Sequence, residues 1–209
     1  MKSTDPLDYG WWLASRAAGI VGFGLAALAV ILGLAMATGM RLPRSLRGRA
    51  VHEQIALASL AAIALHGALL LGDRWLKPGL AGILVPFAGG YRPFYTGLGI
   101  IAAYVAAIVG LSFYVRRRFG VQRWRKLHRF APLVYLLGVV HVLGAGSDAS
   151  ATWMRAIVLV SAWPIVSLLA LRLLTPPTRP EPRSVEQQPA TAPPPRAQPA
   201  SEPALWARH

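Results

Sequence analysis

Four histidines stand inside apolar, helix-length stretches in two pairs of nearly equal spacing. His52 and His66 are 14 residues apart, His128 and His141 are 13 apart. An ionisable side chain at membrane depth is costly and is usually kept for a function. At 1.5 Å of rise per residue each pair spans roughly 20 Å, so two parallel helices could present facing imidazoles at two depths. Histidine is an axial ligand of haem iron. Two stacked bis-histidine haems need this arrangement, His52 with His128 and His66 with His141, and these four are the candidate metal ligands. A lone histidine in a membrane helix is more often a polar contact to a neighbouring helix, but such contacts leave two matched pairs unexplained. The chain has no cysteine and few acids near these residues, so a zinc centre is the weaker reading. No catalytic residue is assigned.

Helical phase supports one pair and strains the other. At about 100° per residue, 14 residues fall about 40° short of four turns, so His52 and His66 share a face. Thirteen residues fall about 140° short, so on an ideal helix His128 and His141 diverge. Pro132 lies between them. A proline in a continuous helix removes the bond to the carbonyl four residues earlier, that of His128, and a bend there would restore the facing.

The elements that carry these residues read as membrane spans. Of the 209 residues, 55% are hydrophobic and 14% charged, which a soluble domain of this size rarely shows. Five stretches reach the ~20 residues a bilayer requires: 11–37, 50–72, 95–115, 128–146 and 153–174. The first is read as a retained helix, because its apolar run is too long for a signal peptide and no basic n-region precedes it. The fold class is therefore an all-α polytopic membrane helix bundle over residues 1–174. The stretch 175–209, with repeated prolines and no apolar periodicity, is expected to be a disordered cytoplasmic tail.

The net charge of +14 would suggest nucleic acid in a soluble protein, but its placement points elsewhere. Arg41, Arg44, Arg47 and Arg49 fill the first loop, and Arg116, Arg117, Arg118, Arg123, Arg125 and Lys126 the third. Excess arginine and lysine marks the cytoplasmic side. The expected location is the inner (plasma) membrane, with the N-terminus outside, the C-terminus inside, His52 and His128 near the cytoplasm, and membrane lipid around the bundle.

Haem propionates are anionic and call for arginine. Arg49, Arg125 and Arg129 flank the inner histidines, and Arg16 lies in the outer part of the first span. All four could equally be topology determinants or snorkelling side chains. Gly19, Gly22 and Gly24 are read as helix-packing residues with no chemistry. Trp11, Trp12, Trp75, Tyr91, Tyr95 and Trp153 fall at expected outer boundaries as anchors. The apolar run 80–87 is too short to span and reads as interfacial or re-entrant.

The stretch from Tyr91 to His141 resembles the ferric reductase-like transmembrane domain family, and especially its bacterial branch with the haem-binding membrane subunit of methionine sulfoxide reductase. The shared pieces are Arg92 to Phe94, Thr96 to Gly99, Arg123 to Phe130 (RWRKLHRF), and His141. The resemblance implies a b-type cytochrome with stacked haems. His66, His128 and His141 match histidines shared with the sulfoxide reductase subunit. His52 completes the two-pair pattern typical of ferric reductases and NADPH oxidases.

Those enzymes carry flavin and nicotinamide domains, whereas no G-x-G-x-x-G fingerprint stands here in a strand–turn–helix context. Electrons are thus expected from a cytoplasmic flavin reductase or from membrane quinol, with flavin entering only through a partner. The leading expectation is transmembrane electron transfer through two b haems to an external acceptor. The alternatives are the haem-binding subunit of a methionine sulfoxide reductase system and, in another class, a haem-free transporter or scaffold. A transporter should carry acids at the membrane midplane. Glu53 is the only acid inside an expected span, and it sits at the edge.

Overall fold

The computed structural model describes residues 6–46 and 48–175; Arg47 and all of the expected tail after Thr175, with His209, lie outside the described residues. Among the described residues seven α-helices follow one another: α1 (Pro6–Ala37), α2 (Arg49–Leu69), α3 (Gly79–Leu84), α4 (Pro93–Phe119), α5 (Val121–His128), α6 (Ala131–Ala145) and α7 (Thr152–Leu174). Among the described residues there is no strand. Five stretches are long and apolar enough to cross a membrane: Tyr9–Ala37, Arg49–Gly72, Pro93–Phe119, Val121–Ala145 and Thr152–Leu174. These are the five expected, four with ends shifted by a few residues.

The fourth span differs, and the difference matters. A single helix from residue 128, bent at Pro132, was the expectation. Instead α5 begins at Val121 and ends at His128, a turn covers Arg129 and Phe130, and α6 starts afresh at Ala131. Proline lacks the N–H that an interior position needs but suits a first turn, so Pro132 opens α6. The helix is broken rather than kinked. The break falls between His128 and His141 and frees the second ring from the phase of the first.

In lipid there is no hydrophobic drive to pair helices, so close packing and hydrogen bonds must hold them. α1 is the axis of the bundle and packs against α2, α6 and α7. Its Phe23, Ala27, Val30, Leu34 and Ala35 form a core with Tyr135 of α6 and Val158, Ile165 and Leu168 of α7. Phe23 stacks on Tyr135 with ring centres 5.6 Å apart. The Tyr135 hydroxyl meets Val158 O and Ser161 Oγ, which leaves no orphaned phenol. Between α1 and α2, a Cβ on Gly22 would sit 3.1 Å from Ile63, and Ser59 Oγ donates to Gly22 O at 3.0 Å. Gly22 therefore has the packing role expected of it.

Loop chemistry sets the directions. Two residues after α1 ends at Ala37 comes Gly39, whose φ of +73° suits a residue without Cβ, and Met40 N closes back onto Ala35 O. The chain returns so that Trp11 at the start of α1 lies against Gly72 after α2. Likewise Tyr95 at the start of α4 lies against Gly144 at the end of α6. The apolar run 80–87 overlaps the short helix α3, tied down by the Tyr104 hydroxyl donating to Leu84 O.

Candidate functional site

The four histidines meet in the pairs that their spacing suggests. The rings of His52 and His128 have centres 6.1 Å apart at an interplanar angle of 87°. Those of His66 and His141 are 6.3 Å apart at 72°. The two rings of each pair come from α2 and from the broken fourth span.

The separation discriminates between metal geometries. A metal–nitrogen bond of about 2 Å plus about 1.1 Å from nitrogen to ring centre puts two imidazoles on opposite sides of one ion about 6.3 Å apart. Tetrahedral sharing would draw the centres to about 5 Å. Both pairs fit the opposed arrangement. Among the described residues no group of three or more His, Cys, Asp or Glu gathers to hold a metal. Two protein ligands per ion, facing each other, suit a metal whose equatorial positions a macrocycle fills.

The partners of the rings favour the same chemistry. His66 Nδ1 donates to Ser15 O at 2.8 Å and lies 3.0 Å from Ser15 Oγ; the same hydroxyl donates to His66 O at 2.9 Å. His141 Nδ1 donates to Tyr95 O at 3.0 Å. A proton fixed on Nδ1 leaves the Nε2 lone pair for a metal, and this outer hydrogen bond is the usual partner of a ligating histidine. At the other pair, the backbones of Ala29 and Val109 lie near the rings of His52 and His128. The buried Nδ1 atoms there close no full hydrogen bond. Trp124 stacks on His128 at 5.1 Å and 27°, and its buried Nε1 also has no partner.

Three glycines make room for the imidazoles. A Cβ on Gly19 would lie 2.9 Å from His66 Nδ1, and one on Gly33 would lie 3.2 Å from His52 Cε1. A Cβ on Gly99 would overlap the His141 ring. Gly19 and Gly33 are 14 residues apart on α1, the spacing of His52 and His66 on the antiparallel α2. That match is the one trace of Gly33 in the sequence. Gly19, expected only to pack helices, abuts a site histidine, while Gly24 meets nothing within 4 Å.

A cleft of about 290 Å³ opens around His52 and His128, near the lower size of small-molecule sites. Its walls are small side chains such as Ala29, Gly33, Ala56, Ala106 and Gly110. Two of the arginines named from the sequence, Arg125 and Arg129, line it, and Arg172 of α7 joins them. Among the described residues no acid lines this cleft. Arg172 lies at the far end of the sequence from both histidines, so no local pattern reveals it. Arg49, the first residue of α2, is exposed and does not line the cleft.

Arg16 is already engaged. Its Nε and Nη2 donate to the two carboxylate oxygens of Asp148 at 2.6 and 2.5 Å, and its guanidinium lies 5.2 Å from the Trp12 ring centre. This pairing balances the charge of Arg16 and uses two of its five N–H donors. Glu53 accepts from the Tyr114 hydroxyl at 2.5 Å, which ties α2 to α4 beside His52.

A family model described as ferric reductase like transmembrane component matches residues 18–139. The matched stretch includes Gly19, His52, His66 and His128 and stops two residues before His141. No curated protein and no solved structure matches the chain.

Proposed function

The chain belongs to the ferric reductase-like transmembrane family, and from that premise we propose that it is a membrane b-type cytochrome that moves electrons across the bilayer through two bis-histidine haems. The observation that carries this reading is the pair of ring separations, 6.1 and 6.3 Å, on two spans running in parallel. About 14 residues of helix separate the two levels, or roughly 20 Å. Between them they cover much of the ~30 Å hydrocarbon thickness.

When bound, a haem would be held by His52 with His128 and by His66 with His141, and would supply one-electron oxidation and reduction. The residues of the chain do the rest. Ser15 and Tyr95 hold the Nδ1 protons of His66 and His141 and so aim each Nε2 at the gap. Gly19, Gly33 and Gly99 let α1 and α4 approach the rings. Arg125, Arg129 and Arg172 bind the propionates at the His52–His128 level. The surrounding apolar helices exclude water.

The loop charges support a cytoplasmic His52–His128 level, with the other pair facing outward. A cytoplasmic flavin reductase or membrane quinol is the donor, and an external ferric chelate or protein is the acceptor. A closed coordination shell favours outer-sphere transfer to either. The test is a reduced-minus-oxidised spectrum of the purified protein with a haem count. Two low-spin b haems per chain are expected, with His52→Ala and His66→Ala each removing a different one. A haem-free preparation, or loss of the same haem in both variants, would overturn the reading.

A further inference from the structure

The two histidine pairs sit in different electrostatic surroundings. At His52–His128, Arg125, Arg129 and Arg172 line the cleft, the one neighbouring acid among the described residues, Glu53, is engaged by the Tyr114 hydroxyl, and the buried Nδ1 atoms close no full hydrogen bond. At His66–His141, both Nδ1 atoms donate to carbonyls. The nearby arginine, Arg16, directly follows the residue that holds His66, and Asp148 neutralises it bidentately. The other cations at that end among the described residues, Arg74, Lys77, Arg92 and Arg155, are all exposed, where water screens them; Arg92 donates to Gly144 O and Arg155 to Ala149 O.

Reduction lowers the charge on a haem iron by one. Positive surroundings therefore favour the reduced form, while a hydrogen-bonded, more basic imidazole favours the oxidised form. Resting on the haem reading above, we propose that the His52–His128 site has the higher reduction potential, and that Asp148 helps keep the His66–His141 potential low by cancelling the charge of Arg16. Transfer between the levels moves one electron: the iron at His52–His128 goes from ferrous to ferric as the iron at His66–His141 goes from ferric to ferrous, with no proton or bond exchanged. An electron thus rests on the arginine side until an acceptor drains the far site.

Potentiometric titration of the purified full-length chain, followed by absorbance, tests this. His66→Ala/His141→Ala leaves the near haem and His52→Ala/His128→Ala the far one; the near haem should titrate higher. Asp148→Asn should raise the far potential, changing its ferrous-to-ferric ratio at fixed ambient potential on the order of tenfold, about 59 mV. Arg16→Gln should lower it, and Arg16→Gln/Asp148→Asn should return it toward the starting value. A merely structural pair would shift both single variants alike. The inverse order of the two haems, same-direction shifts, or a double variant no closer to the parent would overturn the inference while leaving the haem reading intact. The double variant strands no lone charge, so it and the pair deletions decide the matter should a single variant fail to assemble. A haem-free protein would sink both proposals.

Discussion

Ser15 and His66 grip each other twice: the Ser15 carbonyl accepts the His66 Nδ1 proton at 2.8 Å, and the Ser15 hydroxyl donates to the His66 carbonyl at 2.9 Å. The first bond orients the imidazole, and the second fastens the helix turn that carries it. The side chain supplies the second and also stands 3.0 Å from Nδ1, whereas the Nδ1–carbonyl bond needs only the backbone. Ser15→Ala should therefore keep the haem at His66–His141 and lower stability by about 1 kcal/mol, the net value of one hydrogen bond. A thermal melt in detergent, read alongside the haem spectrum, checks both halves. Loss of that haem with an unchanged melting temperature would contradict this division of labour.

Glycine at position 99 is a steric requirement of His141. In the middle of a helix, Gly→Ala ordinarily gains about 1 kcal/mol through helix propensity. Here the new Cβ would overlap the His141 ring, which is proposed to hold a haem. Overlap with a confined ring outweighs propensity, so Gly99→Ala should remove or weaken the haem at His66–His141 and spare the other. Gly33→Leu should do the reverse through His52. Difference spectra of the two variants check the pattern; equal loss of both haems from either one would contradict it.

Much of this was legible in the residues, for identifiable reasons. Transmembrane spans announce themselves because lipid accepts only long apolar helices, and the His52/His66 phase follows from helix geometry. The break after His128 was not legible: Pro132 fits a kink or a first turn equally well, and only packing selects. Arg172 was out of reach because α7 must fold back beside α5 before its last turn meets the cleft. Arg16 was noticed for its position. Its partner Asp148 stands 132 residues away, and a long-range ion pair leaves no local pattern.

The basic ends of the helices give a topology test that needs no haem. Arg118 and Gly90 are both exposed, at opposite ends of the α4 region. Because the chain has no cysteine, Arg118→Cys and Gly90→Cys each create a single thiol. In intact cells a membrane-impermeant maleimide should label Gly90→Cys, and Arg118→Cys only after the membrane is opened, since arginine-rich loops stay in the cytoplasm. The opposite labelling would invert the proposed direction of electron flow.

Arg172 offers the sharpest check on the arginine-lined cleft. It reaches the cleft from α7, so its replacement leaves α5 and both local arginines untouched. A charge-assisted hydrogen bond contributes about 1.5–3 kcal/mol when sheltered. At the mouth of an open cleft, solvent reduces this toward the lower end. Arg172→Gln should therefore speed haem loss from the His52–His128 site roughly tenfold, 1.4 kcal/mol corresponding to about one decade, and leave the other site unchanged. Transfer of haem into excess apomyoglobin, resolved by the two spectral components, gives both rates. Arg172→Lys should recover part of the effect, because an ammonium keeps the charge but loses the paired donors of a guanidinium. If Arg172→Gln instead slowed or equalised loss from both sites, the arginine would be serving helix packing or topology, and the cleft would have to bind its anion through Arg125 and Arg129 alone.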